Sequence, residues 1–108
     1  MRTKTKNTLD SITAVLHQMM PIGAKVILFG SQARGDAHKD SDWDLLILLD
    51  QPKVTNDDFN KFAYPLVELG WTLDQAISPI MYTFSDWEKR HFTPFYKNVE
   101  KEGIEIWH

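Results

Sequence analysis

The chain contains no cysteine. That removes disulfide frameworks, thiolate metal sites and cysteine nucleophiles together. No apolar run approaches the roughly 20 residues that a membrane-spanning helix needs. The start, Met1-Arg-Thr-Lys-Thr-Lys6, is basic but has no hydrophobic stretch behind it, so it does not read as a signal peptide. A strong charge of one sign is lacking too. Twelve basic against 15 acidic residues leave a formal net charge of −3, which argues against nucleic acid as a general polyanionic partner. No segment is low in complexity, and no repeat is visible at solenoid or propeller spacing. These absences together predict a soluble, cytoplasmic protein with no membrane partner.

What is present is enough to build a core. The 108 residues are 43% hydrophobic and include six Phe, four Trp and three Tyr. A chain of this length buries about 60–70% of the surface exposed by its unfolded form, so residues 1–108 are read as one domain. Along it, helix and strand alternate. Leu9, Ile12, Leu16 and Met19 recur at helical spacing before Pro21 and Gly23. Lys25 to Phe29 is a short apolar strand halted by Gly30, and Trp43 to Leu49 is a second strand. Its unbroken apolar run from Leu45 onward predicts burial on both faces. A helix is expected over 57–69, kinked or split at Pro65 and ended by Gly70. A third strand should lie within Trp71 to Tyr82, with Pro79 placing it at an edge or a bulge. Ser85 and Glu88 have the form of a capping box, and Thr93-Pro94 fits the start of a last helix closed by Gly103. The order α-β-β-α-β-α-α predicts an α/β (α+β) fold with a small mixed sheet packed on helices.

One segment carries chemistry. Gly30-Ser31-Gln32-Ala33-Arg34-Gly35 directly follows the first strand. Gly30 permits a sharp turn and close approach to a ligand. Ser31 then opens a helical turn whose free N–H groups attract phosphate oxygens, and Arg34 can pair with a phosphate or brace the acidic loop. The second block, Ser41-Asp42-Trp43-Asp44-Leu45, opens the next strand. Asp42 and Asp44 at i and i+2 share one face while Trp43 takes the other, and such a pair converges on a hard cation such as Mg²⁺. Alone, a Gly-Ser after a strand is ordinarily a turn and an Asp-x-Asp a solvated strand end. Here they sit on consecutive strand ends. Asp36, Asp40, Asp42 and Asp44 also crowd against Lys39 in a single stretch, and these charges repel unless they are solvated or bound to metal. In outline this is a nucleoside-triphosphate and magnesium site.

At these residues the sequence resembles the minimal nucleotidyltransferases of the DNA polymerase β superfamily. Their pattern is Gly-Ser-x-Ala-Arg-Gly, a short loop, then Ser-Asp-x-Asp-Leu, and residues 30–35 and 41–45 match it in both blocks. The resemblance implies the polymerase-β-like fold, Mg²⁺ held by Asp42 and Asp44, and Gly30, Ser31 and Arg34 at the nucleotide. The implied reaction transfers a nucleoside monophosphate from an NTP, ATP foremost, to a hydroxyl of a protein or small molecule. It also implies an alternative, an antitoxin-like binding module with little turnover that pairs with a helical HEPN-type protein; a homodimer is the other partnership considered. Active members carry a third carboxylate on the later strand. The matching position here is near Ser78, and Asp74, the nearest acid, lies four residues away, about 13 Å along a strand. The third carboxylate is therefore Asp74 in a different register, or it is missing.

Other residues carry less. His38 in the loop between the blocks reads as solvated, and His17, His91 and His108 share no metal-ligand spacing. The aromatic stretch from Trp87 to Tyr96 is either core or a docking surface for a partner.

Overall fold

The computed structural model describes residues 3–108, so the first two residues of the basic start lie outside the described residues. The first helix, α1 (Thr3–Met19), runs longer than its apolar spacing requires and buries Ile12 and Leu16 completely. Strand β1 (Lys25–Phe29) leads into a single turn of helix, α2 (Ser31–Arg34), and then β2 (Trp43–Leu49). Both strands fall where their apolar runs place them. Between β2 and the next strand the chain forms α3 (Asn56–Asp58), a π-helical turn (Phe59–Ala63) and α4 (Tyr64–Leu73). Strand β3 (Ile77–Thr83), α5 (Phe84–Glu88), α6 (Pro94–Glu102) and β4 (Ile104–Trp107) complete it.

The four strands form one mixed sheet in the order β3-β2-β1-β4. β1 is antiparallel to β2 and β4, whereas β2 and β3 run parallel. β2 therefore sits inside the sheet, and Leu45 through Leu49 are all buried. Alternation sends Leu45, Ile47 and Leu49 into a core with Ile12, Leu16 and Leu66, under α1 and α4. Leu46 and Leu48 point the other way and meet Trp87 and Val99 of α5 and α6. Helices thus cover both faces. β3 is an edge strand, which is where Pro79 is tolerated because no further strand needs its missing N–H.

Three expectations are corrected. Gly70 does not end its helix; α4 continues to Leu73, and the chain turns at Asp74 in the left-handed region (φ 54°). Gly70 is instead a packing glycine, since a Cβ there would lie 2.5 Å from the Gln75 carbonyl oxygen. The cap of α5 is Thr83 rather than Ser85, with the Thr83 hydroxyl accepting from the Asp86 N–H at 3.0 Å. A fourth strand, β4, pairs with β1 although its four residues gave no separate signal. The split at Pro65 does occur: α4 starts at Tyr64 with Pro65 in its first turn, directly after the π turn. Thr93 caps α6 as expected. Among the described residues no helix is long and apolar enough to cross a membrane.

Candidate functional site

β1 ends, and β2 and β3 begin, at one end of the sheet. The register there sets Phe29 opposite Asp44 and Asp44 opposite Ser78, so three neighbouring strands contribute one row. Gly30 follows Phe29 with φ 75° and ψ −159°, a conformation essentially reserved for glycine. The missing side chain matters as much as the backbone. A Cβ on Gly30 would stand 2.4 Å from Asp44 Oδ2, so the two motif blocks touch through the space that glycine leaves open. Ser31 opens α2, whose first N–H groups have no acceptor inside the helix, and Gly35 closes that turn in the left-handed conformation. The loop between the blocks is pinned by Ser41, whose hydroxyl accepts from the His38 N–H at 2.9 Å. Gln32 Nε2 also donates to the Ser41 carbonyl at 3.5 Å.

Asp44 and Asp42 issue from the sheet face that carries Leu46 and Leu48. Trp43 is buried on the opposite face, its indole N–H donating to Gln75 Oε1 at 3.3 Å. Partial burial first, and the charge of Asp42 second, push the Asp44 carboxyl above its ordinary pKa; Arg34 opposes them. The pair therefore carries negative charge that nothing close by fully balances. A cradle closed by a glycine and two like charges on one face fit a divalent cation bound together with phosphate oxygens.

Arg34 is not turned wholly toward the carboxylates. It pairs with Asp36 at 3.3 Å and with Glu102 of α6 at 3.2 Å, so of its two expected uses the geometry displays the bracing one. Ser78, one strand over from Asp44, donates its hydroxyl to Asp42 Oδ2 at 3.2 Å. Asp74 does not join them. It occupies the left-handed turn that ends α4, four residues ahead of Ser78, and the Asp44–Ser78 register leaves no shifted alignment that would bring it to the pair. Among the described residues no group of three His, Cys, Asp or Glu side chains could hold a metal ion. Ser78 is the residue whose contact with Asp42 the sequence could not reveal, because the pairing of two strands more than 30 residues apart decides it.

The aromatic stretch after β3 is mostly core. Trp87 is buried and packs on Tyr82, Phe95 and Tyr96, while Phe92 is exposed. His38 is exposed, as a loop histidine should be.

A family model described as a nucleotidyltransferase domain matches residues 9–106. A protein of Methanocaldococcus jannaschii whose assigned name is protein adenylyltransferase MJ0141 is 37% identical over 82 residues, covering 76% of this chain and 77% of its own. Among solved structures, a toxin–antitoxin complex with AMP-PNP superposes with a TM-score of 0.62 at 22% identity, over 92% of this chain and 72% of that one. A MntA–HpeT toxin–antitoxin variant with two Asp-to-Glu substitutions gives the same TM-score, 0.62, at 20% identity and the same coverage, 92% and 72%. At these identities the structural likeness concerns the fold alone.

Proposed function

Since this chain belongs to the nucleotidyltransferase domain family, we propose that it transfers a nucleoside monophosphate from ATP to a hydroxyl group of a protein. The observation that carries this reading is the contact between blocks, in which Gly30 and Asp44 meet at the end of the sheet with Asp42 beside them. The acceptor hydroxyl loses its proton to solvent and its oxygen forms a bond to the α-phosphorus, while the bond from that phosphorus to the α,β-bridging oxygen breaks and pyrophosphate leaves. Asp42 and Asp44 would hold magnesium, which supplies charge stabilisation on the attacking and leaving oxygens. Gly30 lets the phosphates approach the backbone, and the opening N–H groups of α2 with the Ser31 hydroxyl bind their oxygens. Arg34, tied to Asp36 and Glu102, keeps that turn in place and adds positive charge near the nucleotide. The name of the archaeal relative supports adenylyl transfer to protein.

A second reading has its own observation. The resemblance implies a third carboxylate near Ser78, and the residue that β3 sets beside Asp44 is that serine; general-base help is typically worth about 10²–10⁴-fold. A module that binds nucleotide and a helical HEPN-type partner, with little turnover, is consistent with that position and with the toxin–antitoxin neighbours.

Incubation with ATP and Mg²⁺, alone and with the protein encoded beside it, separates the two. Transfer adds the mass of one AMP to the partner, and Asp42→Asn with Asp44→Asn abolishes it. Stable association without any mass gain supports the binding module. ATP that neither binds nor transfers overturns both. Binding itself is read as thermal stabilisation: at 100 times Kd it amounts to about 2.7 kcal/mol, which EDTA should remove.

A further inference from the structure

The chain has a second concavity, on the sheet face that α1 covers and not on the face of Asp42 and Asp44. A cavity of about 380 Å³ lies between the first turns of α1 and the loop that joins the two motif blocks. Trp43 and Gln75 also line it, whereas Gly30, Ser31, Asp42 and Asp44 do not. We propose that this cavity binds the phosphate group of a small organic phosphate without a metal ion, at a place separate from the nucleotide cradle.

Charge carries the argument. Lys4 of α1 and Lys39 of the loop both line the cavity, and no carboxylate does. In a chain of net charge −3 that positive charge is a local concentration. Among the described residues neither lysine takes part in an ion pair, and the loop's own Asp36 is engaged by Arg34. Two ammonium groups at one concavity repel each other, and an anion shared by both relieves that repulsion. The neutral groups favour an anion as well. Gln75 Oε1 already accepts from the Trp43 indole N–H at 3.3 Å, which leaves its amide N–H groups to donate to a ligand. The loop wall is formed in advance, because the Ser41 hydroxyl accepts from the His38 N–H at 2.9 Å. Size then narrows the ligand. Small-molecule pockets run about 300–1,000 Å³, and 380 Å³ is more than a bare phosphate ion fills, so the phosphate carries an organic group.

Proton–nitrogen correlation NMR of the full chain in EDTA tests the proposal, with adenosine monophosphate as the probe. The Trp43 indole, Gln75 side-chain and Lys39 backbone signals should shift and saturate, and adenosine should not reproduce the shifts. Asp42→Asn with Asp44→Asn should leave the affinity unchanged. Lys4→Gln and Lys39→Gln, both at exposed positions, should each weaken binding by about 10-fold, while Lys97→Gln on α6 should not. Shifts centred on Gly30 and Ser31, or shifts that never saturate, overturn the proposal. Equal losses from Lys97→Gln overturn it too, since they reflect general surface charge only. So does displacement of the probe by α,β-methylene ATP with Mg²⁺, which would make the cavity part of the substrate's own site. Each of these failures leaves the nucleotidyltransferase reading standing, because that reading is tested by Mg²⁺-dependent transfer.

Discussion

Gly30 and Asp44 constrain each other at the scale of single atoms. Any side chain at position 30 meets both a positive φ and the Asp44 carboxylate at 2.4 Å, so backbone strain and collision act together. Gly30→Ala should therefore destabilise the fold by about 1–3 kcal/mol, seen as a lower melting temperature, and should also displace Asp44 and weaken cation binding. Asp44 costs stability when it is ionised. Its carboxyl has a raised pKa in the folded chain, through burial and then the charge of Asp42. Protonation accordingly favours the native state, and stability is lost as pH rises from the unfolded value, about 3.9, through the raised native one. Asp44→Asn removes that loss. Without metal, the variant should melt above the wild type at pH 7, and the two should converge as pH is lowered toward 4. With Mn²⁺ and nucleotide the order should reverse. A wild type as stable as the variant at pH 7 without metal would show that neither burial nor the charge of Asp42 disfavours the ionised Asp44 carboxyl.

Among elements, the two strands that carry the motif were legible because each is an apolar run bounded by glycine or acidic turn residues. Their contact was legible too, since consecutive strands of this kind pair as neighbours. What stayed hidden depended on partners far along the chain. Gly70 looked like a helix stop because glycine usually is one, yet its requirement comes from the Gln75 carbonyl packed against it. Asp74 looked like a candidate acid until the turn after α4 and the register of β3 set it apart from the pair. Thr83 looked like the last residue of a strand, which it also is, and so concealed its second task as the cap of α5. Two substitutions separate the caps. Thr83→Ala should cost about 1 kcal/mol or more, because a buried cap is lost, whereas Ser85→Ala on the exposed surface should fall within about 0.5 kcal/mol of the wild type. Chemical denaturation of both variants gives the comparison. Equal losses would return the cap to Ser85.

For the molecule as a whole, the sheet order places the site at the junction of near and distant partners. Phe29, Gly30 and Asp44 belong to one hairpin joined by the loop over 30–42, while Ser78 arrives only after the crossover through α3, the π turn and α4. Glu102, which steadies Arg34, arrives later still. Short loops close at smaller entropic cost than long ones, and local pairings speed folding. The cradle and its two carboxylates should therefore come together early as the chain folds, before Ser78, whose hydroxyl donates to Asp42. In rate terms, an Ile47→Val change in the hairpin should mainly slow refolding, and Ile77→Val in β3 should mainly accelerate unfolding. Stopped-flow chevrons of the two variants check this, and an Ile47→Val variant that alters unfolding alone would place the hairpin late. A hairpin that closes first would give a growing chain both motif blocks of the proposed site while β3 is still to be made.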